Sequence, residues 1–102
     1  MDFNISKFEN QVLVKINGSV RLSDADLLKS AFDKILEETV ENVVVDLASV
    51  PSMSSLGIGK IIFLNERLKN QNRTMEVISI HENLLSLFNS MKLFMVINIR
   101  GN

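Results

Sequence analysis

Val43-Val44-Val45-Asp46-Leu47-Ala48-Ser49-Val50-Pro51-Ser52-Met53-Ser54-Ser55-Leu56-Gly57-Ile58-Gly59 is the stretch whose reading decides the fold. Its first five residues form a continuous run rich in β-branched side chains, which suits a strand buried on both faces. A short loop around Pro51 follows. From about Leu56 to Lys69 the pattern turns helical, and Ser54 stands where a helix cap belongs. Gly57 and Gly59 each cost about 1 kcal/mol relative to Ala inside a helix. Two glycines so close together imply that something approaches the backbone there. The simplest candidate is the sheet itself, with Gly57 letting the helix sit close. A P-loop does not fit, because the Gly-Lys-Ser/Thr ending is absent and Lys60 is wrongly spaced.

Working outward, Phe3–Ser6 and Val12–Asn17 read as short strands. In the second, Val12, Val14 and Ile16 alternate with Leu13, Lys15 and Asn17, the period-two signal. Only Glu9-Asn10 separates the pair, so they are expected to form an antiparallel hairpin. Ser23, with Asp26 three positions on, reads as a cap for a helix carrying Leu27, Leu28, Ala31, Phe32, Ile35 and Leu36. Arg73–Ile80 reads as a strand with Met75 and Val77 on one face. Ser79-Ile80-His81-Glu82 has the spacing of a capping box opening a helix from Leu84 to about Met91. Phe94–Ile99 reads as the last strand. The expected fold class is therefore α/β: a mixed sheet of about five strands, with an N-terminal antiparallel hairpin, otherwise mostly parallel, and three main helices. No linker, repeat or composition shift divides residues 1–102, so one domain is expected.

Composition narrows the chemistry. Of 102 residues, 46% are apolar, and 11 basic side chains face 12 acidic ones for a net charge of −1. Such a chain is globular rather than disordered and should bury roughly 60–70% of its unfolded surface. It lacks the basic excess that nucleic acid or an anionic membrane would demand. With no Cys and one His, thiolate and multi-histidine metal sites are impossible. No cofactor is expected, and an enzyme is disfavoured. Met1–Gln11 is polar and alternating rather than leader-like, and the longest apolar run, Ile61–Leu64, is far short of the ~20 residues of a membrane span. A cytoplasmic protein without membrane insertion is expected.

Residues 43–59 resemble the signature of STAS domains, the family of bacterial anti-sigma factor antagonists. Val45-Asp46-Leu47 is similar to the family's strand ending. Ser52-Met53-Ser54-Ser55-Leu56-Gly57-Ile58-Gly59 is similar in register to its Phe-Met-Asp-Ser-Ser/Thr-Gly-Leu-Gly motif. Leu87–Phe94 resembles the late Leu-Phe-x-x-x-Gly-Leu segment, and the element order agrees over nearly the whole chain, apart from the helix the family usually carries after its last strand. The chain departs from the pattern where Ser54 replaces the motif Asp, Leu56 replaces Ser/Thr, and Lys92 replaces the late Gly. Gly18-Ser19-Val20-Arg21 also stands where Gly-x-x-Asp is common, exchanging an acid for a base.

The resemblance implies a STAS fold and a non-enzymatic partner-switching regulator. Such a protein binds an anti-sigma factor that is also a GHKL-type serine kinase, and serine phosphorylation releases it; a phosphatase would reset the switch. The register places the acceptor at Ser55, with Ser54 as the fallback. The alternative is a STAS binding subunit of another complex, a stress-signalling assembly or an ABC-type lipid-transport complex, without a working phosphosite. Helical geometry adds an independent expectation. At 100° per residue, Gly57, Ile58, Ile61, Ile62, Leu64 and Leu68 share the core arc, while Leu56, Lys60, Phe63 and Arg67 lie opposite. Ser52, Met53, Leu56 and Phe63 are thus an expected partner-binding patch with Ser55, and Ser54 and Gly57 of the resembled motif are expected to belong to the same partner-binding site. His81 reads as a surface residue, although paired with Ser55 it is what an enzyme would need. Asp46 reads as a hydrogen-bond acceptor for the loop that follows it.

Overall fold

The computed structural model describes residues 1–101. Strands β1 (Asp2–Phe8) and β2 (Gln11–Asn17) form an antiparallel hairpin, with Ile5 opposite Val14 and Phe8 opposite Gln11. Next come helix α1 (Ala25–Glu37), strand β3 (Asn42–Ser49), helix α2 (Ser55–Asn70), strand β4 (Thr74–Ile80), helix α3 (Glu82–Ser90) and strand β5 (Asn98–Gly101). The sheet runs β1-β2-β3-β4-β5 in space, and every neighbour after the hairpin is parallel. This is the mixed α/β sheet that the alternation of strand and helix patterns dictates.

One face of the sheet carries the core. Val12, Val14 and Ile16 of β2, Val43, Val45 and Leu47 of β3, and Met75 and Val77 of β4 are all buried. They join one cluster with Leu28, Ala31, Phe32 and Ile35 of α1, Ile58, Ile61, Leu64 and Leu68 of α2, and Leu84 and Phe88 of α3. The opposite face differs from the sequence expectation. Val44 and Asp46 of β3 are only half-buried, as are Leu13, Glu76 and Ile78 beside them. All three helices pack on the same side, so β3 is buried on one face rather than two. Its unbroken Val run reflects β-propensity on a half-exposed surface.

Three local expectations are corrected. The chain enters α1 through a 3₁₀ turn, Leu22–Asp24, and Asp24 rather than Ser23 organises the entry. Its Oδ2 accepts from the Arg21 amide at 2.8 Å. The Ser79–Glu82 capping box does not form. Ser79 has φ +57° at an irregularity in the β4–β5 pairing, which turns Ile80 rather than Ser79 into the core. His81 is the residue that precedes α3, with no side-chain cap bond.

The segment read as a strand from Phe94 begins as a 3₁₀ turn, Leu93–Met95, and β5 starts only at Asn98. Leu93 and Ile97 are the buried pair, four apart as in a helical turn, and the Ile97 amide donates to the Leu93 carbonyl at 2.8 Å. The Asn65 amide donates to the Val96 carbonyl at 2.9 Å and holds that turn against α2. Lys92 ends α3 at φ +57°, so it keeps the left-handed conformation that a glycine would supply with less strain.

Candidate functional site

The β3–α2 loop is zipped onto the β2–α1 loop. Beyond the end of the β2–β3 ladder, Val20 and Met53 form a further parallel bridge. The Gly18 amide donates to the Ser49 carbonyl (2.8 Å), the Val20 amide to Ser52 (3.0 Å), and the Ser54 amide to Val20 (2.7 Å). Ser52 and Ser19 join their hydroxyls at 3.0 Å. Val20 and Met53 both turn inward and are buried. Gly18, at φ +89°, supplies the bend that starts this second ladder.

Ser54 and Ser55 have different environments. Ser54 is the N-cap of α2, half-buried, and its Oγ accepts the Gly57 amide at 3.2 Å. That bond satisfies one of the amides that a helix start leaves without an intrahelical partner. Ser55 is the first residue of the helix and is exposed. The fallback acceptor is therefore occupied in holding the helix, whereas Ser55 is exposed.

The two glycines also part company. A Cβ on Gly57 would lie 2.8 Å from Met53 Cγ and 2.9 Å from Val20 Cγ1, so this glycine brings α2 onto the zipped loops. A Cβ on Gly59 would meet nothing within 4 Å. Grouped at the sequence level with the partner-binding residues, Met53 and Gly57 are buried and shape the loop from within. Ser52, Leu56 (42% exposed) and Phe63 (57%) remain on the outside. Leu56, Gly59, Lys60 and Phe63 follow i, i+3, i+4, i+7 spacing, so they line one face of α2. The Arg67 guanidinium lies 5.6 Å from the Phe63 ring centroid. Of the expected core arc, only Ile62 is incompletely buried.

Asp46 accepts the Ala48 amide at 2.9 Å and so shapes the exit from β3. His81 is half-buried at the start of α3, beside Glu82, Asn83 and Ser86 in a shallow surface depression. Among the described residues, no group of three or more His, Asp or Glu side chains is placed to hold a metal ion, and no helix is long and apolar enough to cross a membrane.

A family model for the STAS domain matches residues 2–102. The chain belongs to the STAS domain family. Solved structures similar to this STAS domain include a Thermotoga maritima protein assigned as an anti-sigma factor antagonist, with TM-score 0.89 and 19% identity over 98% of this chain and 86% of that one. An anti-sigma factor antagonist from Mycobacterium paratuberculosis superposes with TM-score 0.88 and 15% identity, covering 98% and 85%. The Bacillus cell-fate determinant SpoIIAA, solved in its phosphorylated form, gives TM-score 0.74 and 11% identity, covering 95% and 89%. At these identities the likeness extends to the fold. No curated protein matches the chain in sequence.

Two residues with structural roles escaped the sequence reading. Asn65, not singled out in the sequence, is 3% exposed, and its side-chain amide bonds to the Val96 carbonyl. Arg73 looked like the first residue of a strand but is 7% exposed. Its guanidinium donates to the carbonyls of Val40 (2.8 Å) and Ile35 (3.1 Å) and to Gln71 Oε1 (2.8 Å). Burial pulls the pKa of this guanidinium down, and the charge of Glu38 opposes the pull. No local pattern marks either residue, because their backbone partners lie 31 to 38 positions away.

Proposed function

We propose that this STAS domain is a cytoplasmic anti-sigma factor antagonist that binds a GHKL-type serine kinase and anti-sigma factor when Ser55 is free and leaves it when Ser55 is phosphorylated. The observation that carries this reading is the division of labour at the start of α2. Ser54 caps the helix while Ser55 stands exposed beside it. The likeness to anti-sigma factor antagonists, one of them solved in a phosphorylated form, supports it. In the transfer, Ser55 Oγ attacks the γ-phosphorus of ATP, the bond to the β-phosphate oxygen breaks, ADP departs, and a base of the kinase takes the hydroxyl proton.

The helix start tolerates the product. Amides without intrahelical partners and the helix dipole favour an anion there by about 0.3–1 kcal/mol. Phosphorylation adds about −1.5 to −2 charges to a surface that a partner had covered as a neutral hydroxyl. Burying that charge instead is what separates the pair, with each ~1.4 kcal/mol a tenfold loss of affinity.

Incubation with the cognate kinase and ATP should place one phosphate on Ser55 and weaken the complex by at least about tenfold in calorimetric titration. Phosphate on neither Ser55 nor Ser54 overturns the proposal. Leu56→Ala and Phe63→Ala should each weaken binding of the unphosphorylated protein by roughly tenfold, as truncation of central apolar contacts does. Their melting temperatures should barely move, because both side chains are largely outside the core. Unchanged affinity in both variants removes the α2 face from the interface.

A further inference from the structure

We propose that Arg21 is the residue that holds the phosphate once Ser55 carries it, an inference that rests on Ser55 being the acceptor. The geometry comes from the zipped loops. Val20 and Met53 face each other across a parallel bridge, and both side chains point into the core. Successive residues of an extended chain point to opposite sides. Arg21 and Ser54, the next residues along the two strands, therefore turn outward together, and the Ser54 amide is tied to the Val20 carbonyl at 2.7 Å. Ser55 is one residue further on.

Arg21 is exposed, and its guanidinium has no ion pair or hydrogen bond among the described residues. The carboxylate next to it is committed elsewhere. Asp24 accepts the Arg21 backbone amide through Oδ2 at 2.8 Å and lies 3.8 Å from the Met1 amino group through Oδ1. A guanidinium fork pairs bidentately with phosphate oxygens, and the zipped loops put Arg21 beside Ser54, the residue before the acceptor. The pair binds the β2–α1 loop to the start of α2, so the phosphate tightens a contact already made by backbone bonds.

The test needs no kinase. Phosphoserine is installed at position 55 during translation, in the otherwise native chain and in Arg21→Gln and Arg21→Lys chains, and the phosphate is titrated by ³¹P NMR. A nearby cation favours the dianion and lowers the second phosphate pKa from its usual value of about 6. The native chain should titrate about half a unit below Arg21→Gln, with Arg21→Lys between them and the gap shrinking in high salt. A control phosphoserine at exposed Ser86 should titrate alike in all three backgrounds. Equal titration of phosphoserine 55 in the native and Arg21→Gln chains overturns the proposal, as does a phosphoserine 55 chain that has lost its folded circular dichroism. Ser55 phosphorylated by the kinase but titrating independently of Arg21 overturns the Arg21 assignment alone and leaves the switch intact.

Discussion

Replacing Arg73 with Met is expected to lower stability by about 2–4 kcal/mol, the largest single-residue effect foreseen for this domain. The guanidinium closes a junction of three segments: the C-terminus of α1, the approach to β3, and the turn before β4. It donates to the Ile35 carbonyl at 3.1 Å and to Val40 at 2.8 Å, with a weaker approach to Leu36 at 3.5 Å. The last carbonyls of a helix have no intrahelical donor, and a cation there also meets the negative end of the dipole. Methionine fills much of the volume but leaves the Val40 carbonyl without its guanidinium donor and Ile35 with only the Glu38 amide (3.1 Å), in a place where Arg73 itself is only 7% exposed. Lysine preserves the charge but lacks the fork that reaches several acceptors at once. Urea denaturation of native, Arg73→Met and Arg73→Lys proteins measures the effect. At roughly 4–8 °C per kcal/mol, the Met variant should melt about 10–25 °C lower. A loss below about 1 kcal/mol, within the range of ordinary surface substitutions, would mean that water replaces the guanidinium freely.

The second large effect is a contrast between two chemically identical changes. Gly57→Ala and Gly59→Ala both remove a helix glycine, which alone favours Ala by about 1 kcal/mol. At position 59 nothing lies within 4 Å of the new methyl, so the full gain should appear as added stability. At position 57 the methyl meets Met53 Cγ at 2.8 Å and Val20 Cγ1 at 2.9 Å. Overpacking of this kind costs about 1–3 kcal/mol, which offsets or outweighs the helical gain and leaves a net loss of up to about 2 kcal/mol. The two variants should therefore lie about 1–3 kcal/mol apart, with Gly59→Ala above the native protein and Gly57→Ala at or below it. The displaced residues are the two halves of the Val20–Met53 bridge, so Gly57→Ala should also raise amide exchange at Val20 and Ser54. Stabilisation by both variants would show that α2 can retreat from the loops without loss.

What was legible in the sequence was local. The alternation of Val12, Val14 and Ile16 gave the buried face of β2, and the faces of α2 followed from 100° spacing, with Leu56 and Phe63 outside as expected. Ser54 as cap and Asp46 as loop acceptor were also visible, because both bond within three residues of themselves. The parts that escaped depend on partners far along the chain. Arg73 is a capping group for a helix that ends 36 positions earlier, and its identity means nothing until the sheet brings the two together. The Val20–Met53 bridge that fixes the Ser55 loop joins segments with α1 and β3 between them. The apolar run misled at Phe94–Ile99, where a 3₁₀ turn precedes a strand that starts only at Asn98, and at β3, where a run of valines resembled full burial. Burial depends on where the helices pack, and a strand's own residues do not record that.

The strand order has a consequence for how the chain reaches its fold. Each strand lies beside the one that precedes it in sequence, from β1 through β5. No strand has to wait for a later one to be inserted between itself and its neighbour. Assembly can begin with the β1–β2 hairpin, whose two-residue turn closes on the microsecond scale, and add one helix-and-strand unit at a time. On a ribosome the same order follows synthesis, so each emerging segment meets a sheet edge already in place. Growth ends with β5, which is four residues long and follows a turn whose Phe94, Met95 and Val96 are all exposed. That edge should be the last to dock and the first to open, and its amides should exchange fastest among those of the sheet.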